Sequence, residues 1–234
     1  MAIVTIDGRK TEAPLGTTIM EAAREINIHI PSLCSNEELN PYGACRICMV
    51  EITQGSRTRM VASCIYEVAD GLEVKTSSER VLKVRRLVIE LLLARNPNHP
   101  ALTKIARGLG IENTSFPIDF KGCILCGQCV RTCQEVVGAL AIGFESRGNT
   151  RKVTTPFGES SPDCIACGAC AFICPVQVIF MEEKDGMRKI WDTEFPLQKC
   201  NKCGQYFAPK KQLEYFRKIA NLPEDHFDTC IGCR

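Results

Sequence analysis

The stretch Cys123-Ile-Leu-Cys126-Gly-Gln-Cys129-Val-Arg-Thr-Cys133 returns further along the chain as Cys164-Ile-Ala-Cys167-Gly-Ala-Cys170-Ala-Phe-Ile-Cys174-Pro175. In each run, three closely spaced thiolates wrap one cluster, and the fourth reaches across to a second. This interleaving is the pattern of a pair of 4Fe–4S centres. It assigns Cys123, Cys126, Cys129 and Cys174 to one cubane, and Cys164, Cys167, Cys170 and Cys133 to the other. Gly127 and Gly168 fall where the chain must reverse around a bulky cluster. Pro175 follows the last cysteine of the later run, whereas Gln134 stands at that place in the earlier one. The two runs are the one convincing internal repeat.

The remaining cysteines, on either side of this repeat, fall into two further groups. Toward the N-terminus lies Cys34-x10-Cys45-x2-Cys48-x15-Cys64, close to the plant-type spacing for a 2Fe–2S centre, with a longer first gap. Gly43 and Ala44 beside Cys45 let the backbone approach the cluster closely. A four-cysteine zinc site is the alternative there. Toward the C-terminus lie Cys200-x2-Cys203 and Cys230-x2-Cys233. Cys203-Gly204 has the form of a zinc knuckle, so one structural zinc is favoured, with a third 4Fe–4S cluster as the alternative. Between these pairs an amphipathic helix is predicted over Lys210 to Asn221, with Leu213, Phe216 and Ile219 on one side. All 16 cysteines are thereby assigned to soft-metal ligation.

Composition narrows the class. The chain has 234 residues, 45% hydrophobic and 24% charged, which predicts a globular protein rather than a disordered one. Metal-type cysteine spacing, the length of the chain and a start unlike a signal peptide argue against a secreted disulfide scaffold. They favour a reducing, cytoplasmic location. The apolar run Leu87 to Ala94 is interrupted by Glu90 and is too short to span a bilayer, so no membrane insertion is expected. A formal net charge of +2 gives no case for nucleic acid.

Local pattern places the motifs on an α+β frame. Residues 1–14 read as a hairpin turning at Asp7-Gly8. Thr18 and Glu21 form a capping box before a helix from Ile19 to Glu25. Strands are predicted over Cys48 to Thr53 and Arg59 to Ser63, which makes a small β-grasp-like sheet. Residues 78–111 read as helical, with Val81, Val84, Leu87, Val88, Leu91 and Leu92 at helix spacing. A break at Pro97–Pro100 precedes a second helix, Leu102 to Leu109. A second hairpin is predicted over 178–195, turning at Asp185-Gly186. Four segments result: a 2Fe–2S domain (1–78), a helical connector (79–117), a two-cluster domain (118–184) and a four-cysteine metal unit (185–234).

Other candidates read as structural. His29, His99 and His226 are single histidines, more often solvated or capping than ligating. Trp191 and the Phe180–Phe195 region read as the packing of a hairpin. No Gly-rich phosphate loop follows a strand, and no nucleophilic triad or paired-carboxylate constellation stands out. The chain thus shows cluster sites and no substrate site.

The order of these segments resembles the N-terminal part of the large iron–sulfur subunit of respiratory complex I. It is also similar to the small diaphorase subunit of NAD-linked bidirectional hydrogenases and to the front end of iron-only hydrogenases. Pro31-Ser-Leu-Cys34, Gly43-Ala-Cys45-Arg-Ile-Cys48, Leu91-Leu-Leu-Ala94 and both four-cysteine runs carry the likeness, which covers residues 1 to about 184. The resemblance implies a β-grasp 2Fe–2S domain and an electron-transfer subunit of a hetero-oligomeric complex. Its partners would be a flavin- and NAD(P)-binding subunit and a further redox subunit or soluble ferredoxin. In that family the connector carries His-x3-Cys-x2-Cys-x5-Cys for another cubane. Here His99 remains, but Thr103, Ala106 and Glu112 stand at the cysteine positions. The resemblance therefore implies that this cluster is missing, as suits a bifurcating transhydrogenase, hydrogenase or formate dehydrogenase assembly. The alternatives are a diaphorase small subunit and a zinc- or cluster-scaffold regulatory protein.

Overall fold

A computed structural model describes residues 1–234. The chain is mixed α+β and divides into two compact units, Met1–Gly127 and Gln128–Arg234. No helix is long and apolar enough to cross a membrane.

The first unit begins with the expected hairpin, β1 (Ala2–Ile6) and β2 (Arg9–Ala13). Asp7 and Gly8 both take positive φ, 47° and 79°, as a two-residue I′-type turn requires. Helix α1 (Ile19–Glu25) opens on the predicted capping box. The Thr18 hydroxyl accepts from the Glu21 N–H at 3.3 Å, and the Glu21 carboxylate accepts from the Thr18 N–H at 2.7 Å. Strands β3 (Met49–Gln54) and β4 (Arg57–Ala62) lie within a residue or two of their expected bounds.

Pattern alone passed over β5 (Leu72–Lys75). Its four residues carry only two apolar side chains, Leu72 and Val74, too few for a periodicity argument. Tertiary pairing makes it central: the sheet order is β2-β1-β5-β3-β4, with β5 parallel to β1 and antiparallel to β3. Val4, Ile6, Val50, Ile52, Leu72 and Val74 then bury one sheet face with Ile19, Ala22 and Ala23 of α1.

Helix α2 (Glu79–Arg95) buries Val81, Arg85, Ile89, Leu92 and Leu93. The expected stripe is only partly right, because Leu87 and Leu91 are exposed while Arg85 takes a core position. The helix is apolar on two flanks, and the sheet, not the periodicity, selects which is covered. Helix α3 (Pro100–Gly108) starts two residues before its expected place, since Pro100 presets a helical φ at the first position. Leu102 and Ala106 are its buried residues.

In the second unit, α4 (Gln128–Arg131) runs into a π-helical turn over Thr132–Val136. Strands β6 (Gly143–Glu145) and β7 (Lys152–Thr154) pair, and α5 (Ala169–Phe172) follows the later cysteine run. The predicted hairpin at Asp185-Gly186 is β8 (Met181–Lys184) with β9 (Met187–Ile190). It straddles position 184/185 and is half of an antiparallel meander, β11-β10-β9-β8, completed by β10 (Thr193–Lys199) and β11 (Tyr206–Pro209). Pro196 obscured β10, because proline is disfavoured within a sheet. It is tolerated because it stands at a changeover: Thr193 to Pro196 pair with β9, and Leu197 to Lys199 pair with β11. Helix α6 (Lys210–Ile219) then packs on β10 and β11.

Candidate metal centres

Cys34, Cys45 and Cys48 of the N-terminal group lie in the loop between α1 and β3, and Cys64 lies just after β4. Cys34, Cys45, Cys48 and Cys64 are all buried, and two of the gaps close tightly. The Cys45 N–H lies 3.4 Å from Cys34 Sγ, and Cys48 Sγ lies 3.4 Å from Cys64 Sγ. Gly43 and Arg46 bracket Cys45 with φ of 69° and 59°, which wraps the loop inward. A Cβ on Gly43 would meet Ile65 Cδ1 at 2.9 Å, so the glycine is also required for space. The packed thiols share protons unequally. Hydrogen bonds from Cys45 and Cys64 draw the Cys34 thiol far below its ordinary value, while Cys45 and Cys64 are pushed up as the donors. Cys64 likewise helps bring Cys48 down to about 6. Four thiols this close cannot all ionise without a cationic centre among them, which is what an iron centre supplies.

The two CxxC turns share one backbone conformation. Leu125 and Gly127 have φ of 55° and 75°, and Ala166 and Gly168 have 56° and 78°. The repeat is therefore conformational as well as compositional. The glycines were legible in the sequence, but the left-handed Leu125 and Ala166 were not. In the first unit, Cys123 is half-buried and Cys126 buried, and the Leu125 N–H points at Cys123 Sγ from 3.4 Å. The Arg95 side chain of α2 donates to the Cys123 carbonyl at 2.8 Å. In the second unit, Cys129 and Cys174 are both buried.

Within the second unit, Cys133 lines the same small cavity as Cys164, Cys167 and Cys170. These residues are far apart in sequence, yet they form the set that the interleaved pattern groups together. The rest of the cavity wall is apolar, with Ala166, Ile142, Ile190 and Trp191 among its members. The π-helical turn, closed by the Val137 N–H on the Thr132 carbonyl at 3.0 Å, carries Cys133 at its second residue. The Ala141 N–H donates to Cys133 Sγ at 3.3 Å. Burial raises the Cys164, Cys167 and Cys170 thiols, the last to about 11. Such a pocket holds thiolates only with a compensating positive centre among them.

The C-terminal group is the tightest. The Sγ atoms of Cys200, Cys203, Cys230 and Cys233 all lie within 4.8 Å of one another, and Cys203 Sγ is 3.8 Å from Cys230 Sγ. A tetrahedron with metal–sulfur bonds of about 2.3 Å has edges of about 3.8 Å. A cubane places each thiolate on a different iron and spreads the four sulfurs over the whole cube. Gly204, with φ of 74°, closes the first knuckle by donating to the Cys200 carbonyl at 2.9 Å. The Cys203 and Cys230 amides donate to Cys200 Sγ and lower that thiol to about 6. Cys233, as donor to its neighbours, is raised to about 12.

The connector shows what became of His99. Its Nδ1 accepts from the Ala101 N–H at 3.2 Å, capping α3. Thr103 donates its hydroxyl to the Pro100 carbonyl at 3.2 Å, and Ala106 is buried. These side chains satisfy helix and core, and they supply no soft ligand.

The comparisons with known proteins agree with these placements at the N-terminus. A family model described as a 2Fe-2S iron-sulfur cluster binding domain matches residues 1–79. Over a longer span, the chain is 32% identical to an NADH-quinone oxidoreductase component of Rhizobium meliloti, across 87% of this chain and 27% of the relative. It is 32% identical to the NADP-reducing hydrogenase component HndD of Solidesulfovibrio fructosivorans, across 78% of this chain and 36% of that one. The chain thus spans about a quarter to a third of these relatives' length. A crystal structure of an NAD+-reducing [NiFe]-hydrogenase in the H2-reduced state matches with a TM-score of 0.66 at 28% identity, covering 75% of this chain and 85% of that chain.

Sequence reasoning missed the residues that support the sites. Arg85, buried in the core beneath the 2Fe–2S domain's loop, donates to the Ile47 carbonyl at 3.0 Å and the Met49 carbonyl at 2.9 Å. It pins both ends of the turn through Cys48. An arginine at a core position of an amphipathic stripe was the available signal. Trp191 was assigned to hairpin packing, but it also lines the Cys133–Cys170 cavity.

Proposed function

We propose that this chain is an iron–sulfur electron-transfer subunit of a cytoplasmic NAD(P)-linked flavoenzyme complex. The observation that carries the reading is the convergence of Cys133 with Cys164, Cys167 and Cys170 on one cavity, in a chain that also matches a 2Fe–2S domain over residues 1–79. Cys34, Cys45, Cys48 and Cys64 would hold one 2Fe–2S cluster in a β-grasp domain. Cys133, Cys164, Cys167 and Cys170 would hold one 4Fe–4S cluster. Cys123, Cys126, Cys129 and Cys174 would hold the other, on the strength of their spacing. Cys200, Cys203, Cys230 and Cys233 would hold zinc, because their sulfurs fit the edge of a single-metal tetrahedron.

Bound clusters accept and release single electrons, and the chain's own residues hold and insulate them. Arg85 positions the N-terminal loop, apolar walls exclude water from the second-unit cavity, and backbone amides donate to the sulfurs. A flavin- and NAD(P)-binding subunit would divide hydride pairs into single electrons, and another redox subunit or a ferredoxin would exchange them. Thr103, Ala106 and Glu112 in place of thiolates favour two branches over one continuous path. That supports a bifurcating transhydrogenase, hydrogenase or formate dehydrogenase type. The 85% coverage of a chain from an NAD+-reducing hydrogenase favours a second reading, the diaphorase small subunit of such an enzyme.

Anaerobic purification of the complex tests this. About ten irons and about one zinc per chain are expected. About fourteen irons without zinc would move the C-terminal site to a cubane. Loss of all cubane signals would overturn the electron-transfer reading. Cys133→Ser should remove the cluster that Cys164→Ser also removes, and leave the other cubane in place.

A further inference from the structure

Helix α6 has 10 residues and buries none of them fully, so its length and packing fix it only weakly. Two of its side chains nevertheless reach the segments that carry the cysteine cavity. Tyr215 Oη donates to the Val137 carbonyl at 2.8 Å, and Lys211 Nζ donates to the Pro162 carbonyl. The two residues are one turn apart and share a helix face.

Their acceptors flank two of the cavity's cysteines. Val137 closes the π-helical turn that carries Cys133, and it lines the cavity itself. The chain after it folds back on Cys133, with the Ala139 N–H on the Cys133 carbonyl at 3.0 Å and the Ala141 N–H on its Sγ at 3.3 Å. Gly138, with φ of 75°, leaves room for Tyr215, because a Cβ there would meet Tyr215 Oη at 3.0 Å. Pro162 stands in the turn that enters Cys164, closed by the Cys164 N–H on the Ser161 carbonyl at 3.2 Å. One helix therefore bridges the two separate segments that bring Cys133 and Cys164 to one cavity. Both ends of that helix lead to the C-terminal cysteine pairs, Cys200 and Cys203 before it and Cys230 and Cys233 after it. Between the pairs, the Asn201 N–H donates to the Asp228 carbonyl at 2.9 Å, and Lys202 Nζ donates to the Cys233 carbonyl at 2.8 Å.

We propose that α6 is a clasp on the cluster held by Cys133, Cys164, Cys167 and Cys170, with Tyr215 and Lys211 as its positioning residues, and that metal ligation by Cys200, Cys203, Cys230 and Cys233 keeps the clasp closed. The proposal rests on the cluster assignment of the preceding section. Ligation at the C-terminal site shortens the tether at both ends of α6. That holds the Tyr215 and Lys211 donors against the two ligand-bearing segments. The retention of one redox centre thus depends on a second, redox-inert site in the same unit.

The test follows the full chain, reconstituted anaerobically, during exposure to an iron chelator, with paramagnetic resonance on reduced samples. Tyr215→Phe keeps the ring and removes only the hydroxyl. It should lose the cubane signal that Cys164→Ser abolishes about two- to tenfold faster than the wild type. The paired variant Cys203→Ser with Cys233→Ser should lose that signal at least as fast, while the 2Fe–2S signal decays at the wild-type rate. Tyr215→Phe added to the paired variant should cost nothing further, because the clasp is already open. An unchanged cubane lifetime in Tyr215→Phe would overturn the proposal. So would equal acceleration at the 2Fe–2S centre, or full additivity of the two effects. The wild-type chain supplies an independent check should the paired variant fail to fold: zinc release should precede loss of that cubane. A cubane lost while zinc is retained would overturn the clasp. A wild-type chain that takes up no cubane would instead overturn the cluster reading itself.

Discussion

Two of the chain's four-cysteine groups differ in what surrounds them. The group from Cys34 to Cys64 is buried against a five-stranded sheet with its own apolar core. The group from Cys200 to Cys233 has an exposed Cys203, and the helix between its pairs buries no residue fully. One site is set into a fold that hydrophobic burial already stabilises. The other lies in a segment whose strongest cross-link is the metal it would hold. Similar ligand chemistry therefore has different consequences: in the first region the protein shapes the site, and in the second the site shapes the protein.

Metal removal should expose this difference most strongly. Structural zinc contributes about 10–16 kcal/mol of apparent binding energy in small zinc units. Stripping the metals should abolish amide protection across residues 200–234, while strands β1, β3 and β5 keep theirs. Hydrogen exchange followed by mass spectrometry measures both regions in one sample. Equal loss in the two would break the comparison.

Arg85→Leu probes the other side of it. The substitution leaves the Ile47 and Met49 carbonyls without their buried donor. A cost of about 2–4 kcal/mol is expected from two unpaired acceptors. Chemical denaturation should show that loss, and a chelator should take iron from the N-terminal loop faster. An unchanged midpoint and an unchanged rate would remove Arg85 from the support of the site.

A smaller effect separates space from backbone strain. Gly168→Ala places a Cβ 2.7 Å from Met181 Sδ at a φ of 78°, whereas Gly55→Ala meets nothing within 4 Å at a φ of 58°. The backbone cost of about 1–2 kcal/mol is common to both. Gly168→Ala should therefore be the more destabilising, by the cost of displacing Met181. Equal melting temperatures would show that Met181 moves freely.

The smallest effect concerns Glu90 of α2, which accepts from the Ser115 hydroxyl at 2.6 Å and the Ser115 N–H at 3.0 Å. Those bonds hold its carboxyl below the ordinary value of 4.5. A depressed folded-state value means that the contribution is complete above pH 4.5 and is lost as the pH falls through the lowered value. The protection of the Ser115 amide, its exchange rate divided into the intrinsic rate at the same pH, should fall only below pH 4.5, and Glu90→Gln should flatten that dependence. Loss of protection already at neutral pH would contradict the assignment.

Much of the first unit was legible because its signals are local. Asp7-Gly8 needs only two residues to specify its turn, and Thr18 with Glu21 needs only one helical turn for the capping box. Strand β5 and the choice of buried face on α2 were not legible, since both depend on what the sheet covers. In the second unit, Pro196 concealed a strand whose partners change at that residue.

The four cysteine groups with their spacing, and the Thr103, Ala106 and Glu112 that stand where the resemblance puts cysteines, could be read from the linear chain. Ligand number and spacing are properties of covalent connectivity, so they can be read without coordinates. Which side chains support those ligands emerged only on folding. The folded chain places Arg85 under the N-terminal loop, gathers Cys133 with Cys164, Cys167 and Cys170, and sets Trp191 in the wall of that cavity. Such contacts join residues distant in sequence, and their energies depend on burial and direction, which no local pattern encodes.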